Sequence, residues 1–334
     1  MAAGTMHRSE VRDALSRAIL GGDPVLTSAQ VAHQVGIEPA EAERLWRALG
    51  FPDAGDNAAF VGADAEALAL VRAAVDRGII DMEMTLRLTR ALGNTMSRLA
   101  DWQVSTLVES LEPDVTDSQN TSRAASALSL TESVGPAFEQ LLVYAWRRHL
   151  AAAVMRVEAL GAADEDLLHS VMTVGFADLV AFTALSNGLD DTELGDLVER
   201  FEERCVDLVT AGGGRAIKTL GDSVLFVAET PSVGVEIGLQ VIEKIGRDKN
   251  FPDVRVGMAT GSVIGRLGDV FGPPVNLAAR LTTVARRNRI ILDHASADLL
   301  SEGFETRTLP PRTLRGFGNV EPVTVRRRWT YTGR

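Results

Sequence analysis

The chain has 334 residues, 46% hydrophobic and 24% charged, with 34 Lys and Arg against 45 Asp and Glu for a net charge of −11. That length accommodates about two domains, and the composition is that of an ordinary folded protein. The acidic surplus argues against a general nucleic-acid binder, which needs clustered Lys and Arg, but leaves room for one small basic nucleotide site. The single cysteine, Cys205, excludes an internal disulfide framework and reads as a small apolar residue on a helix face. The N-terminal stretch MAAGTMHRSEVRDAL becomes charged too early for a signal peptide. No apolar run approaches the ~18–20 residues that span a bilayer. The expectation is a cytoplasmic protein with no membrane partner.

From Ser9 to about Leu111 the rhythm is helical, with Leu68, Val71 and Val75, then Met84, Leu88 and Leu92, at helix spacing. Gly21-Gly22-Asp23-Pro24, Gly50-Phe51-Pro52-Asp53 and Gly62-Ala63-Asp64 punctuate it into short helices. LTSAQVAHQVGIEPAEAERLWRALG has the form of a helix-turn-helix, with Thr27 or Ser28 as N-cap and Gly36 at the turn. Glu38, Glu41 and Glu43 on its second helix would repel phosphate, so a packing or regulatory helix pair is the reading and nucleic acid is not an expected partner. Residues 112–134, rich in Ser and Thr, read as a long loop or weak helix, and residues 136–162 as a strong connecting helix. His149 and His169, on or near that connector, are candidates for proton sensing or simply exposed side chains.

After Asp164 the rhythm changes. HSVMTVGFA reads as a strand that Asp178 should terminate, residues 190–213 as an amphipathic helix, and residues 215–229 as two strands joined at Gly221-Asp222. A helix (232–248), a strand pair (254–268), a helix (274–286) and a strand (289–293) complete a βαββαβ pattern. The fold class is α+β: a ferredoxin-like core preceded by an all-α domain. The boundaries are 1–135 for a helical regulatory domain, 136–165 for a connector and 166–334 for the α+β domain.

Three clusters interrupt the apolar pattern: Asp178 in FADLVAFT, Lys218 and Asp222 in KTLGDSVL, and Asp269, Asn276 and Arg280 in DVFGPPVNLAARL. Taken singly, Asp178 could cap a helix, Asp222 could sit in a turn and Arg280 could pair with a surface acid. Taken together they suggest phosphate chemistry: two carboxylates can hold hard divalent cations. An amide and a guanidinium four apart on one helix face can bind ribose and phosphate oxygens. Arg286-Arg287-Asn288-Arg289 reads as a solvated helix end.

These three motifs, in this order and spacing, resemble the catalytic domain of class III nucleotidyl cyclases over about half the chain. The resemblance implies an adenylyl cyclase that converts ATP to 3′,5′-cyclic AMP and pyrophosphate. It implies two Mg²⁺ or Mn²⁺ ions on Asp178, Asp222 and the backbone carbonyl of Leu179. Lys218 and Asp269 would read the adenine edge, Asn276 would orient the ribose and Arg280 would stabilise charge on the α-phosphate. It implies a homodimer whose sites are shared between subunits, with the helical half as regulator. The other function class left open is a nucleotide-binding or DNA-associated regulator with a vestigial cyclase domain. One residue departs from the family pattern: Ala181 stands where glycine is usual.

Overall fold

The computed structural model describes residues 8–111, 123–159, 169–266 and 268–328. It divides into two compact units, Met1–Ala152 and Ala153–Arg334.

The first unit is helical: α1 (Arg8–Leu20), α2 (Ser28–Val35), α3 (Pro39–Leu49), α4 (Gly62–Asp76), α5 (Met82–Leu111) and α6 (Arg123–Ala159), the last crossing the division between units. Helix α2 starts on a capping box, in which the Gln30 amide N–H donates to the Thr27 hydroxyl and the Thr27 N–H donates to the Gln30 side chain. It stops at Gly36 (φ 72°), and α3 starts on Pro39 and stops at Gly50 (φ 85°). The pair buries Val31, Ala32, Leu45 and Trp46 against Phe60 and Leu68.

Helix α6 begins thirteen residues before Pro136, so of the two readings of 112–134, long loop or weak helix, the helix holds from Arg123 onward. Residues 112–122 lie outside the described part. Pro136 removes one backbone donor and crowds the preceding turn, but the Ala- and Leu-containing segment before it continues the helix.

The second unit opens with β1 (His169–Leu179), α7 (Phe182–Ser186), α8 (Asp191–Ala211), β2 (Arg215–Thr219), β3 (Ser223–Ala228) and α9 (Pro231–Val241). A π-helical turn over Ile242–Gly246 extends α9. Next come β4 (Val254–Arg266), β5 (Asp269–Phe271), α10 (Pro273–Val284), β6 (Arg289–Leu292), α11 (His294–Asp298), β7 (Phe304–Thr308), β8 (Arg312–Leu314), β9 (Gly318–Val320) and β10 (Val323–Arg327). The main sheet runs β2-β3-β1-β4-β6-β10-β7, with β5 paired to β4, while β8 and β9 form a separate hairpin. Strands β4-β1-β3-β2 are the antiparallel ferredoxin-like core, and β6 joins β4 in parallel. The α+β architecture expected from the residue pattern is the one observed.

Side-chain alternation splits the core in two. Ala177, Leu179, Val256 and Met258 face α8 and α9. Val174, Phe176 and Ala259 face α10 through its Ala278 and Leu281. Helix α8 contributes Leu197, Phe201, Cys205 and Val209, one stripe at four-residue spacing. Each large apolar member of that stripe contributes about 1.5–3 kcal/mol by burial. Cys205 is fully buried, as its apolar reading anticipated, and burial pushes its thiol pKa up. Gly257 lets α10 lie directly on β4: a Cβ there would run into the Thr282 backbone nitrogen and, at 2.6 Å, the Ala278 carbonyl.

Two further expectations are corrected. Residues 254–268 are not a pair of strands but one 13-residue strand, β4, whose hairpin partner is the short β5. A β-branched and apolar run keeps β4 extended across the sheet, and the turn waits until Gly268 (φ 79°). Residues 286–289 are not a helix end: α10 stops at Val284, Asn288 adopts φ 54°, and Arg289 already belongs to β6.

Candidate active site

Strand β1 does not end before Asp178; it runs on to Leu179. Asp178 is therefore a strand residue in the middle of the sheet, with Ser223 of β3 on one side and Arg255 of β4 on the other. Period-two alternation puts it on the α10 face with Val174 and Phe176. Its carboxylate, 13% exposed, accepts from Arg255 Nε at 2.6 Å and lies 2.6 Å from Arg255 Nη2. Burial raises the Asp178 pKa above the ordinary carboxylate value, Arg255 opposes that shift, and the charge of Asp222 adds to it.

Asp222 reaches this neighbourhood through the β2–β3 turn. Gly221 takes φ 66°, and the Asp222 carbonyl accepts from the Leu179 N–H at 3.0 Å, which ties the turn to the end of β1. The two carboxylates proposed as metal ligands thus occupy adjacent strand ends.

Arg255 is the site residue that sequence reasoning passed over. Its signal was a lone guanidinium between Val254 and Val256 in an otherwise apolar strand. Without the β1–β4 register nothing ties it to a residue 77 positions earlier. Its Nη1 also reaches the Thr283 carbonyl at the end of α10. Asn288 braces the start of the same strand: its Oδ1 accepts from the Val254 N–H at 3.1 Å and its Nδ2 donates to Asp253 at 2.5 Å.

Lys218 and Asp269 meet directly, Nζ to Oδ2 at 2.5 Å, between β2 and β5. A register shift in the β2–β3 ladder between Ala216 and Lys218 turns Lys218 toward β5, a use of bulges common next to functional sites. The other oxygen of Asp269 accepts from the Val270 N–H at 2.8 Å.

Asn276 and Arg280 share the exposed side of α10, opposite the buried Ala278 and Leu281. Neither side chain has a hydrogen bond or ion pair to another described residue. One chain therefore brings together Asp178 with Asp222 and Lys218 with Asp269, and leaves the amide and guanidinium facing outward.

Ala181 is the N-cap of α7 and has φ 59°, the left-handed region that favours glycine. A non-glycine residue there costs about 1–2 kcal/mol, partly offset by the extra chain entropy of glycine. Ala181→Gly is expected to raise stability on the order of 0.5–1 kcal/mol, as read from denaturant midpoints. A lower midpoint would mean that the strain is relieved by contacts of the Ala181 methyl group.

Comparison with known proteins matches the two halves of the chain separately. An Adenylate and Guanylate cyclase catalytic domain matches residues 167–326, and an Adenylate cyclase regulatory domain matches residues 5–150. An adenylate cyclase from Streptomyces coelicolor is 38% identical over 342 residues, covering 93% of this chain and 88% of that protein. One from Streptomyces griseus is 41% identical over 287 residues, covering 85% of this chain and 70% of that protein. The crystal structure of the adenylyl cyclase CyaB from P. aeruginosa aligns with 49% of this chain and 98% of its own, at 21% identity and a TM-score of 0.44. No helix among the described residues is long and apolar enough to cross a membrane. With a matched regulatory domain ahead of a matched catalytic domain, and curated relatives aligned along most of its length, the chain belongs to the class III adenylate cyclases.

Proposed function

We propose that this enzyme cyclises ATP to cyclic AMP and pyrophosphate at sites shared between two copies of the chain, using two divalent cations. The observation that carries the reading is the split of the site residues within one chain. Asp178 and Asp222 are adjacent, with the Asp178 carboxylate largely withdrawn from water, while Asn276 and Arg280 project outward from α10 with no side-chain partner among the described residues. A second copy supplies what each half lacks. Exposed Tyr144, Trp146, Leu150 and Met155 on α6 support self-association, since such apolar surface is costly to leave in water.

The donor set fits Mg²⁺ or Mn²⁺: Asp178, Asp222 and the Leu179 carbonyl are all oxygen ligands, and their small number suits cations completed by substrate phosphates. Burial and the charge of Asp222 raise the proton affinity of Asp178, an environment that a divalent cation relieves. When bound, the cations supply Lewis-acid activation of the ribose 3′-hydroxyl and neutralise phosphate charge. The chain's own groups do the rest. Lys218 donates to adenine N1 and Asp269 accepts from the N6 amino group. Asn276 orients the ribose so that its 3′-oxygen lines up with the α-phosphorus, and Arg280 stabilises the charge that grows on the α-phosphate. Arg255 holds the Asp178 carboxylate in place and adds positive charge beside the triphosphate. The N–H groups at the start of α7 suit the phosphate tail.

The test is direct: purified protein with ATP and Mn²⁺ should release cyclic AMP and pyrophosphate in equal amounts. ATP binding without cyclic product would overturn the assignment. The first unit is proposed to restrain the second through α6. A chain beginning at Ala153 should then turn over ATP faster than the full chain somewhere across about pH 5–8, the range in which histidine titrates. His149 is exposed on α6, and the side chain of His169 lies outside the described residues. Equal rates at every pH would remove the regulatory role.

A further inference from the structure

We propose that the first unit carries a binding site for a small organic cation, an apolar body bearing one ammonium group, in a cavity between α2, α3 and α4. The cavity encloses about 330 Å³ and closes on the start of α5. That volume lies within the range of small-molecule sites, about 300–1,000 Å³. Two helices each present one face to it. Leu68, Val71, Arg72, Val75 and Asp76 recur at intervals of three and four along α4, which makes them a single stripe. Glu38, Glu41 and Leu45 do the same at the start of α3.

The floor is apolar and unfinished. Leu45 and Leu68 are buried in the core of the unit, whereas Ile37, Val71, Val75 and Met82 are only half-buried. An alkyl body in the cavity would complete their burial, and each methylene so covered is worth about fourfold in affinity. Met82, unbranched, can adjust its shape to the occupant.

The charges around that floor select the sign of the ligand. Three carboxylates and one guanidinium line the cavity, and the guanidinium is already committed. Arg72 Nε donates to Asp76 at 2.9 Å, and its Nη1 donates to the Gly36 carbonyl, tying α4 to the end of α2. The side chains of Glu38 and Glu41 have no hydrogen bond or ion pair to another described residue. The first turn of α3 offers an anion little in return. Pro39 has no N–H, and the N–H groups of Glu41 and Ala42 donate to the Glu38 carbonyl at 2.9 and 3.2 Å. A carboxylate or phosphate head would thus meet two carboxylates and a guanidinium already paired, whereas an ammonium group meets two acceptors. The glutamates that make this helix pair unfit for a phosphate backbone suit it to a cation.

The experiment is calorimetric titration of the full-length chain at pH 7 with octylammonium, octanoate and octanol, which share one alkyl chain and differ in charge. Octylammonium should bind saturably, one per chain, and roughly tenfold or more tighter than octanoate, with octanol between them. Hexylammonium, two methylenes shorter, should bind roughly tenfold more weakly than octylammonium. Glu38→Gln combined with Glu41→Gln should weaken octylammonium roughly fivefold or more and leave octanol unchanged. Neither side chain has a described partner to lose, so the melting temperature should hold. Val75→Phe, which fills part of the cavity from its wall, should weaken octylammonium and octanol alike. Octanoate binding as tightly as octylammonium overturns the cation, and undiminished octylammonium binding in the double glutamine variant does the same. Absence of saturable octylammonium binding, or binding indifferent to Val75→Phe, overturns the site. Binding is read without ATP, so neither the cyclase mechanism nor the restraint by the first unit bears on the result, and each fails separately.

Discussion

Chains carrying Asp178→Ala and chains carrying Asn276→Ala are each expected to lose roughly 100-fold or more in turnover, the usual cost of removing one preorganised charge-stabilising group. Mixed in equal amounts and allowed to re-associate, they should recover about one quarter of the wild-type rate per chain. Random pairing makes half of the dimers mixed, and each mixed dimer holds one site with both defects and one with none. The expectation rests on where the side chains stand. Asp178 is locked into the sheet beside Arg255, while Asn276 and Arg280 face away from the buried side of α10. A site confined to one chain would have to draw Asn276 back toward Asp178, and mixing would then restore nothing. Mixed dimers verified by two affinity tags, yet inactive, would decide against sharing.

The second large effect concerns the base. Exchanging the ends of the ion pair, Lys218→Asp with Asp269→Lys, keeps opposite charges facing each other but reverses donor and acceptor toward the purine. The pair is partly exposed, at 34% and 24% for the two side chains, so the exchange should cost no more than about 1 kcal/mol of stability. ATP recognition should suffer far more. Two hydrogen bonds to charged groups, at about 1.5–3 kcal/mol each, set the loss in kcat/KM at roughly 100-fold or greater. Guanine presents N1–H as a donor and O6 as an acceptor where adenine has the reverse, so GTP should gain relative to ATP. An unchanged ATP-to-GTP preference, with melting unaltered, would remove these two residues from base reading.

Much of the fold was legible beforehand because it lies in local pattern. The alternation of HSVMTVGFA, the four-residue stripe of α8 and the glycine-bounded turn at Gly221-Asp222 each report a structure made within a few residues. The misreadings share a cause: the deciding contact was distant. Residues 254–268 resemble two strands until β1 is there to pair with Val254–Ile264 without a break. Residues 286–289 resemble a helix end until Asn288 is seen bonding to Val254 and Asp253. The segment after Arg123, open between loop and weak helix, is helical, since its Ser and Thr are weak helix formers but not helix breakers.

The sequence by itself determined which chemistry is available: carboxylates, an amide and guanidinium groups at spacings that local turns and helices can present. It also determined the class of fold, since period-two and period-3.6 apolar patterns dictate which faces seek cover. Only the tertiary structure decided who meets whom. The β1–β4 register set Arg255 on Asp178, the bulge before Lys218 turned it onto Asp269, and the left-handed turn at Ala181 exposed backbone strain that composition does not show. Register and bulges depend on pairing between segments far apart in the chain. A contact of that kind is set by the free energy of the whole sheet, not by the few residues that make it.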